Sequence, residues 1–129
     1  MNTRLPIVLW ALFSASSAFS LSLGDANLGS YIGDPLLVTI AVNDDKMLIP
    51  GEVRIRLGTS EEYSAHGLDK ADQPKGILMV VEQSGKGLQV ELKTEDPVSA
   101  PFVSFLLVVE SPQAKIQRDY SLLLDLPPQ

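Results

Sequence analysis

The sequence contains no cysteine and little of several other residue types on which common functions depend. The lack of cysteine excludes disulfides, a thiol nucleophile, a cysteine zinc site and a lipid anchor attached through cysteine. Histidine and tryptophan occur once each, and aromatic residues make up only 6% of the chain. Basic residues number 10 and acidic residues 16, so the formal charge is −6. Because phosphate contacts require clustered positive charge, we expect no nucleic-acid partner.

The sequence also lacks an apolar run long enough to cross a membrane, which would need about 20 residues. The run Leu5–Phe13 is far shorter. It follows the positive charge of Arg4 and precedes the small residues Ser14–Ala18, a pattern typical of a secretory signal peptide. The small-residue rule permits cleavage after Ala18 or after Ser20. We therefore expect an exported product with no membrane anchor.

What remains is a composition suited to one compact domain of 129 residues, with 45% hydrophobic and 20% charged residues. Apolar and charged residues alternate in Val53–Leu57 and in Leu88–Lys93, which is typical of β-strands with one face in water. A less regular strand is expected around Asp25–Ser30. Continuous apolar runs predict four more deeply buried strands, at Leu36–Val42, Ile77–Val81, Phe102–Val109 and Leu122–Leu124.

Turn-forming residues separate these strands. Turns are predicted at Gly33–Pro35, Ile49–Gly51, Ser84–Gly87 and Ser111–Gln113. The segment Asp96–Pro101 contains two prolines and predicts a crossover between sheets, because proline cannot lie inside a central strand.

One segment departs from the β pattern and predicts a short helix. Thr59 and Glu62 have the spacing of a capping box, and Gly67 suits the position just after the helix end. We expect a helix over Ser60–His66 that covers one open end of the strands. The predicted fold is therefore mainly β, an antiparallel β-sandwich of the immunoglobulin-like type with six to seven strands and one short helix.

Side chains that could carry chemistry each have a simpler structural interpretation. His66 falls in the last turn of the predicted helix, where it is expected to face solvent, and no Gly-x-Ser-x-Gly sequence supports a catalytic triad. The pairs Asp44–Asp45 and Glu95–Asp96 lack the spacing of a calcium loop and are expected to be solubilising loop acids. The glycines of Gly85–Gly87 fit a hairpin and not a phosphate loop, because a strand follows them.

Two further patterns are also interpreted structurally. Arg54 and Arg56 form a stripe that could meet an acidic partner but is more simply the solvated face of a strand. Phe102 and Phe105 alternate with aliphatic residues and are expected in the core, not on a stacking platform for bases. We predict no catalytic, cofactor-binding or metal-binding residue, no cofactor and no enzymatic activity.

Five segments of the chain resemble the N-terminal periplasmic domain of the FimV family, proteins linked to type IV pilus assembly and cell-pole organisation in Gram-negative bacteria. Leu21–Gly24 resembles the Leu-Gly-Leu-Gly start of that domain, and Pro97–Leu106 resembles its Pro-Val-x-x-Pro-Phe-x-x-Phe-Leu segment. Arg118–Asp125 is similar to its closing Arg-x-Tyr-x-x-Leu-Leu-Asp. Asp34–Leu36 and Val53–Leu57 add weaker likeness. Between the last two strands, where the family usually has a tryptophan and a glycine turn, this sequence has other residues.

The resemblance implies cleavage after Ser20, which gives a signal peptide over residues 1–20, a FimV N-terminal-like β domain over 21–126 and a C-terminal tail over 127–129. It implies a periplasmic, non-enzymatic module that binds another envelope protein, in type IV pilus or envelope-machinery assembly. Larger family members continue into a LysM motif, a membrane-spanning helix and a long acidic part. The sequence has none of these segments, so the polar-hub role is not carried over, and direct contact with peptidoglycan stays open.

Three alternatives remain at this point. The chain could be a pilin-like or chaperone-like subunit that assembles by strand exchange, with Leu21–Ser30 as the candidate donor segment. It could be a remnant of a longer FimV-like protein. The least favoured alternative is a cell-wall hydrolase that depends on His66.

Overall fold

The computed structural model describes residues 21–128, which form two antiparallel β-sheets packed face to face. The signal peptide predicted for residues 1–20 lies outside the described residues. The strands in chain order are β1 (Ser22–Leu28), β2 (Pro35–Asn43), β3 (Arg54–Leu57), β4 (Leu78–Ser84), β5 (Gly87–Pro97), β6 (Phe102–Glu110) and β7 (Lys115–Leu123). One α-helix, α1 (Ser60–Ala65), and two 3-10 turns, Pro50–Glu52 and Lys70–Asp72, complete the described chain.

The strand order confirms the predicted fold. One sheet has the order β1-β2-β5-β4 and the other has the order β3-β6-β7. This four-plus-three arrangement is that of a constant-type immunoglobulin sandwich. The segment that joins β5 to β6 passes from one sheet to the other, as its two prolines predicted.

The core lies between the sheets and is built by alternate residues of the central strands. β2 shows the pattern most regularly, since every second side chain is buried from its second residue onward. Burial of one such aliphatic side chain is worth about 1.5–3 kcal/mol. The central inward-facing residues are Leu36, Val38, Ile40, Val42, Leu88, Val90, Leu92, Val103, Phe105, Leu107 and Val109.

Strand β6 is buried on both faces because α1 covers the outer face of its sheet. Tyr63 on α1 is buried against Leu106 and Val108, which point away from the main core. The predicted capping box is confirmed, with Thr59 accepting a hydrogen bond from the Glu62 amide. The expected position of the helix was wrong, because it packs on a sheet face and not over an open end. No helix within residues 21–128 is long and apolar enough to cross a bilayer.

Several strand boundaries differ from the sequence-based expectation, and those of β1, β7 and β5 have a physical reason. β1 starts at Ser22 and contains a bulge between Leu23 and Ala26, which interrupts the alternation that would have revealed it. β7 starts at Lys115, well before the predicted apolar run, since it is an edge strand rich in polar residues. β5 extends to Pro97, which is tolerated because that residue ends the strand.

Side chains of β7 close the sandwich against β1, and we name this contact the β1–β7 seam. Arg118 donates from Nη1 to the carbonyl of Leu23 at 3.0 Å and from Nη2 to the carboxylate of Asp25 at 2.8 Å. The Tyr120 hydroxyl donates to the Gly24 carbonyl at 2.7 Å. These bonds supply partners to the backbone of the bulge, where pairing with β2 is interrupted.

Candidate functional site

The large apolar side chains that the described chain exposes are concentrated towards the two ends of the sandwich. Met47 and Ile49 lie in the loop between β2 and β3 at one end. A larger group lies at the opposite end, where the β1–β2 loop, the β5–β6 crossover and the C-terminal segment meet. Exposed apolar clusters rimmed by polar residues mark interaction sites on soluble proteins. The second end is therefore the candidate functional site.

Backbone hydrogen bonds fix these three segments to one another. The Ile32 amide donates to the Asp125 carbonyl at 2.8 Å, and the Gly33 amide donates to the Val98 carbonyl at 2.8 Å. The Val98 amide in turn donates to the Asp34 carbonyl at 2.9 Å. Main-chain contacts thus hold the three segments together, and within the β1–β2 loop the Asp34 carboxylate adds a hydrogen bond from the Tyr31 amide.

The surface that results combines apolar and acidic side chains. Phe102 and Leu123 are direct cross-strand neighbours on the outer face of their sheet. Tyr31 and Asp125 line one shared hollow of about 370 Å³. We define the end surface as Tyr31, Phe102, Leu123 and Leu126 together with the carboxylates of Asp34, Asp96 and Asp125.

Phe102 corrects an expectation from the sequence. It was predicted in the core with Phe105, but 41% of Phe102 is exposed whereas Phe105 is fully buried. The two residues differ by an odd number of positions along β6 and therefore point to opposite faces of the sheet. Phe105 faces the core, where it stacks on Tyr120 with ring centroids 5.2 Å apart.

A hollow of about 450 Å³ extends the end surface beside Phe102. Its walls are the segment 71–75 and the crossover residues 96–100. Pro74 is buried at its wall, and Lys75 is the one basic residue among the residues that line it. This hollow gives the exposed phenyl ring of Phe102 a concave neighbour into which a partner side chain can fit.

The acidic groups of the end surface form no ion pair with the described part of the chain. The ion pairs formed within residues 21–128 use other carboxylates, those of Asp25, Glu62, Glu91, Glu110 and Asp119. Among these residues, the carboxylate of Asp34 accepts one hydrogen bond, from the Tyr31 amide at 3.2 Å. The end surface therefore places three carboxylates that form no ion pair within residues 21–128 next to its apolar side chains.

The two arginine residues of β3, Arg54 and Arg56, have different surroundings. Arg56 lies 2.7 Å from Glu62 on α1 and 3.3 Å from Glu110 on β6, so its acidic partners belong to the same chain. Lys115 adds a contact of 3.2 Å to Glu62. Hydrogen bonding to Arg56 is the largest cause that holds the pKa of the Glu62 carboxyl well below its usual range. Arg54, by contrast, is exposed, as expected of a solvated face.

The remaining candidates occupy separate positions. His66 is exposed at the end of α1, and its ring bonds Gln117 through Nε2 at 2.8 Å and lies 3.8 Å from Asp119 through Nδ1. The sequence predicted its exposure but gave no signal for these β7 partners. Gly85 has a φ of 60° in the β4–β5 hairpin, which confirms that turn. Among residues 21–128, no three acidic or histidine side chains cluster as a metal site would require.

Comparison with known proteins agrees with the resemblance seen in the sequence and with the observed fold. The family model of the FimV N-terminal domain, described as an Ig-like domain, matches residues 21–127. Two curated relatives are 30% identical to this chain over 119 residues. Both are named Motility hub protein FimV, and each comes from a different strain of Pseudomonas aeruginosa. The match covers 91% of this chain but 13% of each relative, so the chain spans only a small part of their length.

Proposed function

Because the chain belongs to the family of FimV N-terminal Ig-like domains, we propose that it is a non-enzymatic, protein-binding module of the Gram-negative periplasm that serves type IV pilus or envelope-machinery assembly. The observation that carries this proposal is the match over residues 21–127 to a domain whose curated relatives are named motility hubs. A hub works through contacts with other proteins. Its Ig-like domain is therefore expected to offer a binding surface.

Export is supported by the way in which the domain begins. Residues 1–20 have the charge, apolar run and small residues of a signal peptide. Leu21 follows the preferred cleavage point after Ser20, and its side chain is packed in the core. Cleavage at that point leaves every strand of the sandwich intact. Residues 21–126 are then the periplasmic domain and 127–129 its tail.

Strand exchange between subunits is less well supported. The candidate donor segment, Leu21–Ser30, contains β1, which pairs with β2 of its own chain. The β1–β7 seam holds the other side of the same strand. Release of β1 would break both contacts before any partner could be gained.

A domain replacement tests the proposed function. The N-terminal Ig-like domain of Pseudomonas aeruginosa FimV is exchanged for residues 21–126 of this chain, and motility is scored against the parent and a FimV deletion strain. We expect the chimera to restore most of the motility that the deletion loses. A chimera with Leu36→Asp serves as control, because an unpaired charge at this buried position prevents folding.

The proposal is overturned if the unmodified chimera is exported and as abundant as the parent protein but leaves motility at the level of the deletion strain. N-terminal sequencing of the exported chain, made with its own first 20 residues, tests localisation separately. We expect the sequence to begin at Leu21.

A further inference from the structure

We propose that the end surface is the docking site of this module and that its partner presents an apolar segment bordered by lysine or arginine. The inference rests on the proposed function, since it names the chemistry of the protein that such a module binds. It commits to another envelope protein and not to a second copy of this chain or to a lipid surface.

The first support is the way in which apolar side chains are forced outward. Leu124 is buried and its amide donates to the Pro101 carbonyl at 2.8 Å, while Leu122 packs against the core. Leu123 lies between these two inward residues, so its side chain must point out, and 73% of it is exposed. Leu126 is 76% exposed in the same segment. The core therefore fixes the outward direction of Leu123 and leaves most of its side chain uncovered.

The second support is preorganisation. The loop that carries Tyr31 and Asp34, the crossover and the C-terminal segment are tied by main-chain hydrogen bonds. A partner that covers these side chains does not first have to order the backbone beneath them. Rigid presentation of this kind lowers the entropic cost of association.

The third support is charge. Asp34, Asp96 and Asp125 form no ion pair within residues 21–128, whereas Glu62 on α1 is paired with Arg56 and Lys115. Negative charge around an apolar patch attracts basic groups and repels acidic ones. The rim of the partner should therefore carry lysine or arginine.

The same charge argues against two other occupants. A two-fold contact between copies of this chain would bring identical carboxylates together, and like charges across an interface are repulsive. Anionic lipid surfaces are repelled for the same reason. Another protein with a basic rim satisfies both the apolar and the acidic parts of the surface.

Site-specific cross-linking in the native bacterium tests the inference on the full chain. A photo-reactive amino acid replaces Leu123 in one variant and Met47 in another. Met47 is a matched control because it is also well exposed, at 60%, but lies at the opposite end of the sandwich. We expect the Leu123 probe to give one main adduct with an envelope protein, at least tenfold stronger than any adduct of the Met47 probe. Mass spectrometry should place the cross-link in an apolar segment flanked by lysine or arginine.

Charge is tested on the same adduct with two triple variants. Asp34→Asn, Asp96→Asn and Asp125→Asn together should weaken the adduct at least tenfold. Glu52→Gln, Glu61→Gln and Glu82→Gln together change the net charge equally at exposed sites elsewhere and should leave it within twofold. Equal loss in both variants would overturn the assignment of the basic rim to the end surface.

The outcomes separate the two proposals. An adduct from Met47 but not from Leu123 overturns the docking site and leaves the binding function standing. An adduct of the chain with itself, with lipid alone, or with a segment that lacks basic residues also overturns the inference. The absence of any envelope-protein adduct from either probe overturns both proposals.

Discussion

Gly87 is the residue at which one added methyl group would meet the most rigid neighbours. It begins β5, and a Cβ atom there would lie 2.5 Å from the Val42 carbonyl oxygen and 2.9 Å from the Asn43 side chain. Neither β2 nor the hairpin can move without disturbing the paired strands. The sequence identified this glycine only as part of a turn, because the approach of β2 is a property of the fold.

We expect Gly87→Ala to lower the free energy of unfolding by about 1–3 kcal/mol, the usual cost of overpacking a close contact. Urea denaturation measures this loss. Gly51→Ala is the control, since a Cβ at that position meets no atom within 4 Å. If the two variants lose the same stability, the close approach at Gly87 is not what requires glycine.

Tyr120 carries a prediction for both neutral and alkaline pH. At neutral pH, Tyr120→Phe removes the bond to the Gly24 carbonyl and should cost about 1 kcal/mol of unfolding free energy. Burial raises the pKa of Tyr120 from 10.0 to about 12. The unfolded chain ionises first, so this contribution is complete below pH 10 and is lost as the pH rises towards 12.

Unfolding free energies measured from pH 8 to 12 in the parent and in Tyr120→Phe therefore test the hydroxyl directly. The variant should lose less stability over the alkaline range than the parent. Burial also raises the pKa of Tyr63, so Tyr63→Phe is measured beside it. The exposed Tyr31→Phe should follow the parent. A parallel alkaline decline in Tyr120→Phe and the parent would contradict the assignment.

Among the elements, α1 shows what local sequence can and cannot predict. Its capping box was visible in the spacing of Thr59 and Glu62, because those contacts lie within one turn. The docking of α1 on β6 was not visible in the sequence. It depends on an ion pair with Arg56 of β3 and on the packing of Tyr63 against Leu106 and Val108. The strands followed the same rule. Alternating or continuous apolar segments were identified, whereas the bulged β1 and the polar β7 were misplaced at their boundaries.

The sequence did not reveal the candidate site, for a related reason. Asp34, Asp96 and Asp125 are far apart in sequence, and only the backbone contacts at the end of the sandwich bring their segments together. Phe102 was assigned to the core because it and Phe105 alternate with aliphatic residues in a run that is mostly apolar. It is exposed because it lies on the outer face of the sheet and outside the cluster that Tyr63 forms with Leu106 and Val108.

Glu62 is the group through which α1 can be loosened selectively. Arg56, the Thr59 amide and Lys115 all lower its pKa, with Arg56 the largest cause. This contribution is therefore present above the ordinary glutamate pKa and is lost as the pH falls below about 4.5. Glu62→Gln should remove that acid-dependent contribution and increase the hydrogen exchange of the α1 amides at neutral pH.

Glu61→Gln on the same helical turn is the matched control, because Glu61 is exposed and forms none of the ion pairs found in residues 21–128. Hydrogen exchange with mass spectrometry compares the three proteins. Equal exchange in both variants would show that the Arg56–Glu62 contact does not hold the helix.

At the scale of the whole molecule, we predict that the protein beginning at Leu21 is a monomer. β1 and β7, one edge strand from each sheet, are joined to each other at the seam. Loss of Arg4 with the first 20 residues also changes the formal charge from −6 to −7, so identical copies repel. Sedimentation velocity over a hundredfold range of concentration should give one constant monomer mass. A species that grows with concentration would favour strand exchange instead.

The β1–β7 seam has a consequence for the timing of the export proposed above. Its hydrogen bonds join residues 93 to 96 positions apart, close to the two limits of the domain. A chain that crosses a membrane from its N-terminus delivers β1 first and β7 last. The sandwich would therefore stay incomplete, with the outer edge of β1 uncovered, until nearly the whole chain has crossed. Contacts of such long range slow folding, so in the proposed export the domain would close only after the chain had crossed the membrane.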